Sequence, residues 1–228
     1  RTAKIKVAQP GQGLDDDVAR VAAVREALGD SARIRVDANG AWSVDRAMEA
    51  LRELADYHLE YAEQPCATVE ELAVLRRRLA AADVPVPIAA DESIRRAEDP
   101  FRVRELAAAD LAVLKVQPLA GVRRCLAIAE RLGMPVVVSS AVETSVGLCA
   151  GVALAACLPD LPFDCGLETG SLLATDVVAD PLVPTAGVVP VVPLAIDEDR
   201  LAEARADETT TTWWLERLRR VSQLVGEG

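Results

Sequence analysis

The sequence predicts an α/β fold in which parallel strands alternate with helices around a barrel. Short β-branched runs alternate with longer Ala-, Leu- and Arg-rich stretches of helical periodicity. A polar residue stands at the end of one predicted strand after another. The sequence contains no GxGxxG or P-loop motif, which a doubly wound nucleotide-binding sheet would favour. We therefore expect a (β/α) barrel whose site lies across its strand ends.

Seven strands are predicted, and nearly all of them are followed by a helix. The strands are expected at 4–8, 34–38, 59–65, 86–93, 111–118, 135–140 and 163–170. The helices are expected at 15–28, 43–56, 68–82, 99–107, 121–132 and 144–157. Ser43 and Thr68 are the expected N-caps of the second and third helices, and the aspartates at 15–17 are expected to cap the first.

The pattern changes after Leu173. Proline- and valine-rich turns follow, and then the amphipathic stretch WWLERLRRVSQLV at 213–225. We divide the chain into a barrel, residues 1–180, and a C-terminal extension, residues 181–228. The extension is expected to pack on the barrel or on a segment outside it.

Composition narrows the classes of partner. The formal net charge of −11 and the sequence pI near 4.7 argue against nucleic acid and anionic membranes as partners. The longest apolar runs are too short to span a bilayer. The five cysteines are scattered without CxxC spacing, as expected of reduced thiols in a cytoplasmic protein.

The polar residues at the strand ends recur at intervals of one strand, one helix and their loops. Their separations are 31, 26, 28, 24 and 24 residues, for Lys6, Asp37, Glu63, Asp91, Lys115 and Ser139. Because the carboxyl ends of barrel strands meet at one rim, we expect these side chains to gather there.

Three of these residues, Asp37, Glu63 and Asp91, form a predicted carboxylate cluster. Without a cation each carboxylate would raise the pKa of its neighbours. A hard divalent ion would reconcile them, with Mg²⁺ the first candidate and Mn²⁺ the second. The alternative is that each acid meets solvent separately as a strand-end or cap residue.

Lys6 and Lys115 are expected to enter the rim from opposite sides of this cluster. That arrangement suits removal of a proton next to a substrate carboxylate, because charge then develops on the carboxylate oxygens. A lysine base needs a depressed pKa, and Lys4, on the same strand face, is expected to shift the pKa of Lys6 in that direction. The alternative is a surface lysine that extends into water.

Together the motifs resemble the enolase superfamily, in its muconate-lactonizing-enzyme-like branch. They are KxK at 4–6, DxN at 37–39, EQP at 63–65, DES at 91–93, and Lys115 followed by Gly121. The resemblance extends from Lys4 to about Gly170 and implies a (β/α)7β barrel. It implies Mg²⁺ bound by the three acids, Lys6 as the base, and Lys115 as the cation that stabilises the enolate.

Four segments carry a closer resemblance to the actinobacterial dehydratases of menaquinone biosynthesis in this branch. They lie at 63–72, 89–100, 139–151 and 165–180. The resemblance implies a cytoplasmic lyase that eliminates water from a small carboxylate substrate. By position, the candidates for substrate-binding or supporting roles are Lys4, Asn39, Glu92, Ser139, Ser140, Thr169 and Gly170. The small strand-end residues among them are equally well explained as turn formers.

Members of the family carry an N-terminal α+β capping domain and a first barrel strand before the KxK strand. Both are expected to be absent from this chain, which begins directly on KxK. The C-terminal extension would then pack on the barrel or on that capping domain. Because the cap helps to select the substrate, specificity and oligomeric state stay open at this point.

Three other functions remain open. Two lysines that flank one carbon could racemise N-acylamino acids or epimerise dipeptides, as relatives in the family do. Lys115 could instead form a Schiff base in an aldolase barrel. A scaffold without activity is the third, although it would have no need of both lysines and all three acids.

Overall fold

A computed structural model of the chain describes residues 1–95 and 100–226. In this part of the chain six parallel strands form one sheet, and their spatial order is their order in the sequence. They are β1 (Thr2–Lys6), β2 (Arg33–Asp37), β3 (Leu59–Glu63), β4 (Ile88–Ala90), β5 (Leu111–Leu114) and β6 (Val136–Val138). Consecutive parallel neighbours are typical of a barrel, so the predicted α/β fold class is confirmed.

The helices follow the strands as predicted. Those between the strands are α1 (Leu14–Leu28), α2 (Val44–Leu54), α3 (Val69–Ala81), α4 (Glu92–Arg95), α5 (Arg102–Glu105) and α6 (Val122–Leu132). After β6 come α7 (Ser145–Cys157), α8 (Glu198–Glu203) and α9 (Glu208–Gly226). The helix predicted at 99–107 is shorter than expected, because only α5 is helical there, and residue 99 lies outside the described residues.

The predicted caps at Ser43 and Thr68 are present, and an aspartate caps the first helix from within its first turn. The Ser43 hydroxyl accepts a hydrogen bond from the Arg46 N–H at 3.3 Å. Thr68 forms a capping box in which its hydroxyl accepts from the Glu71 N–H and Glu71 accepts from the Thr68 N–H. The first helix has Gly13 at its N-cap position, and the aspartates lie in its first turn, where acidic charge favours the positive helix end. One of them, Asp16, contributes to the cap, because its carboxylate accepts from the Gly13 N–H at 2.8 Å.

The strand predicted at 163–170 is reduced to a single parallel bridge between Ser139 and Gly166. This segment nevertheless returns towards the start of the sheet. The Thr2 hydroxyl donates to the Asp164 carboxylate at 2.5 Å, and the Arg35 guanidinium donates to the Asp164 carbonyl at 2.8 Å. The sheet is therefore curved so that its last segment faces β1 and β2.

Alternate residues of the strands belong to two apolar clusters. On β5, Ala112 and Leu114 belong to the main core, which the helices cover, while Leu111 and Val113 belong to a smaller cluster on the other face. Tyr61 joins the smaller cluster and packs edge-on against Phe163 with ring centroids 5.7 Å apart. Side chains fill both faces, as in a barrel whose interior is packed.

The C-terminal extension contacts the barrel over part of its length. Leu182 is buried in the main core, and Val189 packs against it. The side chains of α9 up to residue 224 are exposed, including Trp213, Trp214 and Leu218. Within the described residues, no helix combines the length and the apolar character that crossing a bilayer requires.

A buried carboxylate joins α7 to the extension. One Asp176 oxygen accepts from the N–H and the hydroxyl of Ser145, and the other accepts from the Val177 N–H. The Ser145 hydroxyl in turn accepts from the Leu182 N–H at 2.7 Å. Burial alone would raise the pKa of Asp176, but the hydrogen bonds from Ser145 and Val177 outweigh burial and hold it below its usual value.

We expect Asp176→Asn to lower the free energy of unfolding by about 1.5 kcal/mol at pH 7, because a charged acceptor is lost. Since the pKa of Asp176 is depressed in the fold, its contribution is present above the usual aspartate pKa and disappears as pH falls through the folded value. Urea unfolding at several pH values measures both effects. Asp180→Asn, at an exposed position, is the control. An unfolding difference that persists unchanged into acid would contradict this account.

Candidate active site

Three carboxylates lie side by side at the ends of neighbouring strands. Asp37 ends β2 and Glu63 ends β3, and the two residues are register partners in the sheet. Asp91 directly follows β4. Each of the three side chains is 1–2% exposed. The predicted clustering of these acids at one rim is thus present, and it places three negative charges in a buried region.

The two lysines of β1 both bind this cluster. Lys6 is the register partner of Asp37, and its Nζ lies 2.5 Å from Asp37 Oδ2. Lys4 Nζ lies 3.1 Å from the same oxygen and 2.8 Å from Glu63 Oε1. A shared carboxylate therefore separates the two ammonium groups and offsets their repulsion.

Lys115 approaches the cluster from the other end of the sheet. It follows β5, and its Nζ lies 2.6 Å from Asp91 Oδ2. Its side chain is 12% exposed, whereas that of Lys6 is 52% exposed. Lys6, on β1, and Lys115, after β5, therefore contact the cluster from the two sides of the strands that carry the acids.

Every lysine of the sequence lies at this cluster. Lysine and arginine total 25, yet lysine occurs only at positions 4, 6 and 115. All three lysines are ion-paired to the carboxylate cluster. Arginine stays protonated at any physiological pH, so lysine is the basic side chain that can also act as a proton acceptor.

Burial and charge act against each other in this cluster. Burial raises the pKa of Glu63, and the charges of Asp37 and Asp91 raise it further, while Lys4 lowers it in part. Burial would also raise the pKa of Asp37, but Lys4 and Lys6 outweigh it and hold that pKa below its usual value. For Lys4, burial would lower the pKa, but the charges of Glu63 and Asp37 hold it above the usual lysine value.

A second layer of polar groups surrounds Asp91 and Asp37. The Arg95 guanidinium donates to Asp91 Oδ1 at 2.9 Å and to Glu92 Oε1 at 2.7 Å. Asn39 donates its backbone N–H to Asp37 Oδ1 and its side-chain amide to Glu92 Oε1, and it accepts from Lys6 at 2.8 Å. Asn39 therefore lies in contact with Asp37, Lys6 and Glu92, and Glu92 lies beside Asp91 and Arg95.

The predicted serine and threonine residues form a separate group. The Ser140 hydroxyl donates to the Gly166 carbonyl at 3.0 Å and is 2.8 Å from the Thr169 hydroxyl. Thr169 also donates to the Ala141 carbonyl, and the Ser139 hydroxyl contacts the Gly166 carbonyl at 3.4 Å. These bonds join the end of β6 to residues 166–170, which fits the turn-forming interpretation as well as a binding role.

Gly170 lies in the same group. A Cβ atom placed there would approach Leu148 Cδ1 to 2.9 Å, so glycine permits the close packing of this segment on α7.

The chemistry of the donor set suits a hard divalent cation. The acids are oxygen donors with excess negative charge, and one oxygen of the neighbouring Glu92, Oε2, is buried with no hydrogen-bond partner among the described residues. In this structure the carboxylates are bound by the three lysines and by Arg95. Within the described ranges, no group of three or more His, Cys, Asp or Glu side chains is arranged to hold a metal. Binding a cation would require these ammonium groups to release carboxylate oxygens.

Sequence reasoning missed two residues of this site. The strand-end pattern does not predict Arg95, although four residues between an acid and an arginine at a helix start is a common spacing for an ion pair. The sequence indicates Gln64 only as part of the EQP motif, whereas in the structure its buried amide joins the ends of β3 and β4. Nothing in local sequence indicates that second role, because its partners are 27 and 29 residues away.

Comparison with known proteins identifies relatives over most of the chain. Residues 1–195 match the family model described as "Enolase C-terminal domain-like". The o-succinylbenzoate synthase of Thermobifida fusca is 63% identical over 206 residues, which cover 90% of this chain and 63% of that protein. The o-succinylbenzoate synthase of Mycolicibacterium smegmatis is 58% identical over 96% of this chain and 65% of that protein. The chain thus spans less than two thirds of the length of these two relatives.

Solved structures of similar fold point to the same group. Muconate cycloisomerase from Pseudomonas fluorescens has a TM-score of 0.79 and 34% identity, covering 91% of this chain and 58% of that one. A dipeptide epimerase from Enterococcus faecalis V583 has a TM-score of 0.69 and 31% identity, covering 80% of this chain and 52% of that one.

We expect Lys4→Met to raise the pKa of Glu63 further, because Lys4 is the ammonium group that contacts that carboxylate. Lys6→Met is the matched control, since Lys6 contacts Asp37. Carboxyl ¹³C NMR of glutamate-labelled protein across a pH titration measures the shift. If Glu63 titrates at the same pH in Lys4→Met as in the wild type, Lys4 does not stabilise the ionised form of Glu63.

Proposed function

The chain belongs to the enolase C-terminal domain-like family, and we propose that it carries the catalytic barrel of an o-succinylbenzoate synthase. The observation that supports this most directly is the placement of lysines from β1 and β5 on either side of three buried carboxylates. Relatives of that name, up to 63% identical, support the choice of reaction. The proposed enzyme is a cytoplasmic lyase of menaquinone biosynthesis whose partner is a small carboxylate substrate, with no nucleic-acid or membrane partner.

The proposed reaction is the syn elimination of water from 2-succinyl-6-hydroxy-2,4-cyclohexadiene-1-carboxylate. Asp37, Glu63 and Asp91 would hold Mg²⁺, or Mn²⁺ in its place, through their carboxylate oxygens. When bound, the ion supplies positive charge that favours negative charge on the substrate carboxylate. Lys4, Asn39 and Glu92 would orient these acids through the contacts described above.

Lys6 is the proposed base. Its side chain is half-exposed at the rim, where a substrate can reach it. As a neutral amine, it would take the proton from the carbon that bears the carboxylate, and the electron pair would move onto the carboxylate oxygens. The electron pair would then return from the carboxylate oxygens to form a ring C=C bond as the C–O bond breaks. The Lys6 ammonium would donate its proton to the departing hydroxyl group on the same face, which leaves as water in a syn elimination.

Lys115 is the proposed electrostatic partner on the opposite face. Its ammonium is nearly buried and bound to Asp91, so its charge is held in a region of low dielectric. There it would stabilise the negative charge that forms when Lys6 removes the proton. The proposed contacts for the succinyl tail are Ser139 and Ser140, which follow β6, and Thr169 and Gly170, which follow the bridge at Gly166.

The division into a barrel (1–180) and an extension (181–228) is also part of the proposal. The exposed apolar side chains of α9, including Trp213, Trp214 and Leu215, support packing of the extension against a segment of the whole protein outside the barrel.

A racemase or epimerase activity on N-acylamino acids or dipeptides is the second candidate. Lysines on both faces of the cluster could remove and return a proton at one carbon, and a dipeptide epimerase is among the similar solved structures. The Schiff-base mechanism is less favoured, because Lys115 is held as an ion pair with Asp91.

In a dehydration assay of the full-length enzyme with Mg²⁺, we expect EDTA to abolish activity and Lys6→Ala to lower kcat by about 10³-fold or more. Arg102→Gln, which removes an exposed ion pair with Glu70 that involves none of the acids or lysines of the cluster, should leave the rate unchanged. Product formation at the wild-type rate with EDTA or with Lys6→Ala would overturn the proposed mechanism.

Deuterium exchange from solvent into the α position of N-acylamino acids tests the second candidate. If that activity is present, Lys6→Ala and Lys115→Ala should each abolish exchange from one face of the carbon, since each lysine serves one face. After borohydride treatment in the presence of the cyclohexadiene carboxylate or an N-acylamino acid, mass spectrometry should show all three lysines unmodified. A trapped adduct on Lys115 would instead support the Schiff-base mechanism.

A further inference from the structure

Gln64 is buried at the junction of the strand ends that carry Glu63 and Asp91. Its side chain is 0% exposed, and all of its amide hydrogen-bonding groups are used. The carbonyl Oε1 accepts from the N–H of Asp91 at 3.0 Å and from the N–H of Ser93 at 3.1 Å. The amide Nε2 donates to the Ser93 hydroxyl at 2.8 Å and to the Cys66 carbonyl at 2.9 Å.

The backbone of Gln64 is held in an unfavourable conformation. Its φ is +38°, in the left-handed region that residues with a side chain rarely occupy. Two backbone bonds fix it there, because its N–H donates to the Ala89 carbonyl at 2.8 Å and its carbonyl accepts from the Gly40 N–H at 2.7 Å. Such conformations persist where the surroundings determine them, and they concentrate at functional sites.

The segment that Gln64 contacts begins α4, where the Asp91 carbonyl accepts from the N–H groups of Ile94 and Arg95 at 2.9 and 3.0 Å. The strand β4 before it has three residues, and the described part of the helix α4 after it, up to residue 95, has four. The Asp91 carboxylate is drawn towards two cations, Lys115 at 2.6 Å and Arg95 at 2.9 Å. The N–H groups of Asp91 and Ser93 in this turn are held by the Gln64 amide oxygen, which belongs to the neighbouring strand end.

We propose that Gln64 is a positioning residue that clamps the turn at 91–93 to the end of β3. The clamp keeps the Asp91 carboxylate facing Glu63 and Asp37, so that the three acids can serve one cation. This inference rests on the proposed function for its purpose, while the clamp itself is a property of the chain. A residue that only filled this space could be apolar, whereas the Gln64 amide oxygen holds two backbone N–H groups of the turn.

Hydrogen exchange measured by NMR tests the clamp without any ligand. In Gln64→Met, which keeps the length of the side chain and removes its polar atoms, the N–H groups of Asp91 and Ser93 should exchange at least ~10-fold faster. Gln64→Glu keeps an acceptor oxygen for both groups and should stay closer to the wild type. The N–H of Val113, in β5, serves as an internal reference. Unchanged exchange at both positions in Gln64→Met would overturn the proposal.

Binding of Mn²⁺ alone, followed by electron paramagnetic resonance of the free ion, tests what the clamp does. We expect Gln64→Met to weaken Mn²⁺ binding by about 10–100-fold, with partial recovery in Gln64→Glu. Leu75→Ala, in the main core on α3, is the control for lost stability, and it should bind Mn²⁺ as the wild type does. Equal weakening in Leu75→Ala would show a merely structural role and overturn the proposal.

The two measurements also separate this inference from the function on which it rests. If the wild type binds no Mn²⁺, the proposed cation site is wrong, and the exchange rates of Asp91 and Ser93 still decide whether Gln64 holds the turn.

Discussion

Charge compensation between buried carboxylates and lysines is the interaction on which the rest of this site depends. Asp37, Glu63 and Asp91 are almost inaccessible to water, and each would be costly to bury as an unpaired ion. The lysines at 4, 6 and 115 supply the opposing charge. They also leave the cluster adaptable, since an ammonium group on a flexible stem can move away when a stronger cation binds.

The parallel sheet is what brings these charges together. Lys6 pairs with Asp37 and Asp37 pairs with Glu63 because neighbouring strands are in register at their carboxyl ends. The helices then begin within a few residues of the rim, at Ser43 and Thr68, and their caps keep the connecting loops short. The site is thus held by strands and helix starts rather than by long loops, and such sites are the more precisely placed.

Backbone conformation at the rim contributes as much as side-chain chemistry. Asn39 and Gln64, which follow the acids of β2 and β3, both have positive φ, at +48° and +38°. They are joined through Gly40, whose N–H donates to the Gln64 carbonyl, and a Cβ at Gly40 would come within 3.1 Å of the Ala67 backbone. The two strand ends are therefore bent into one connected support for the acids, in the kind of strained geometry found near functional sites.

The sequence by itself determined the α/β class, most strand and helix positions, and the clustering of Asp37, Glu63 and Asp91, because periodicity and strand-end spacing are local signals. Only the tertiary structure decided which acid each lysine contacts, because ion pairs depend on register and side-chain reach. In place of the strand predicted at 163–170, the structure has one bridge at Gly166, because strand pairing depends on a neighbouring strand as well as on local propensity. The role of Gln64 likewise depends on partners distant in the chain, which no local pattern encodes.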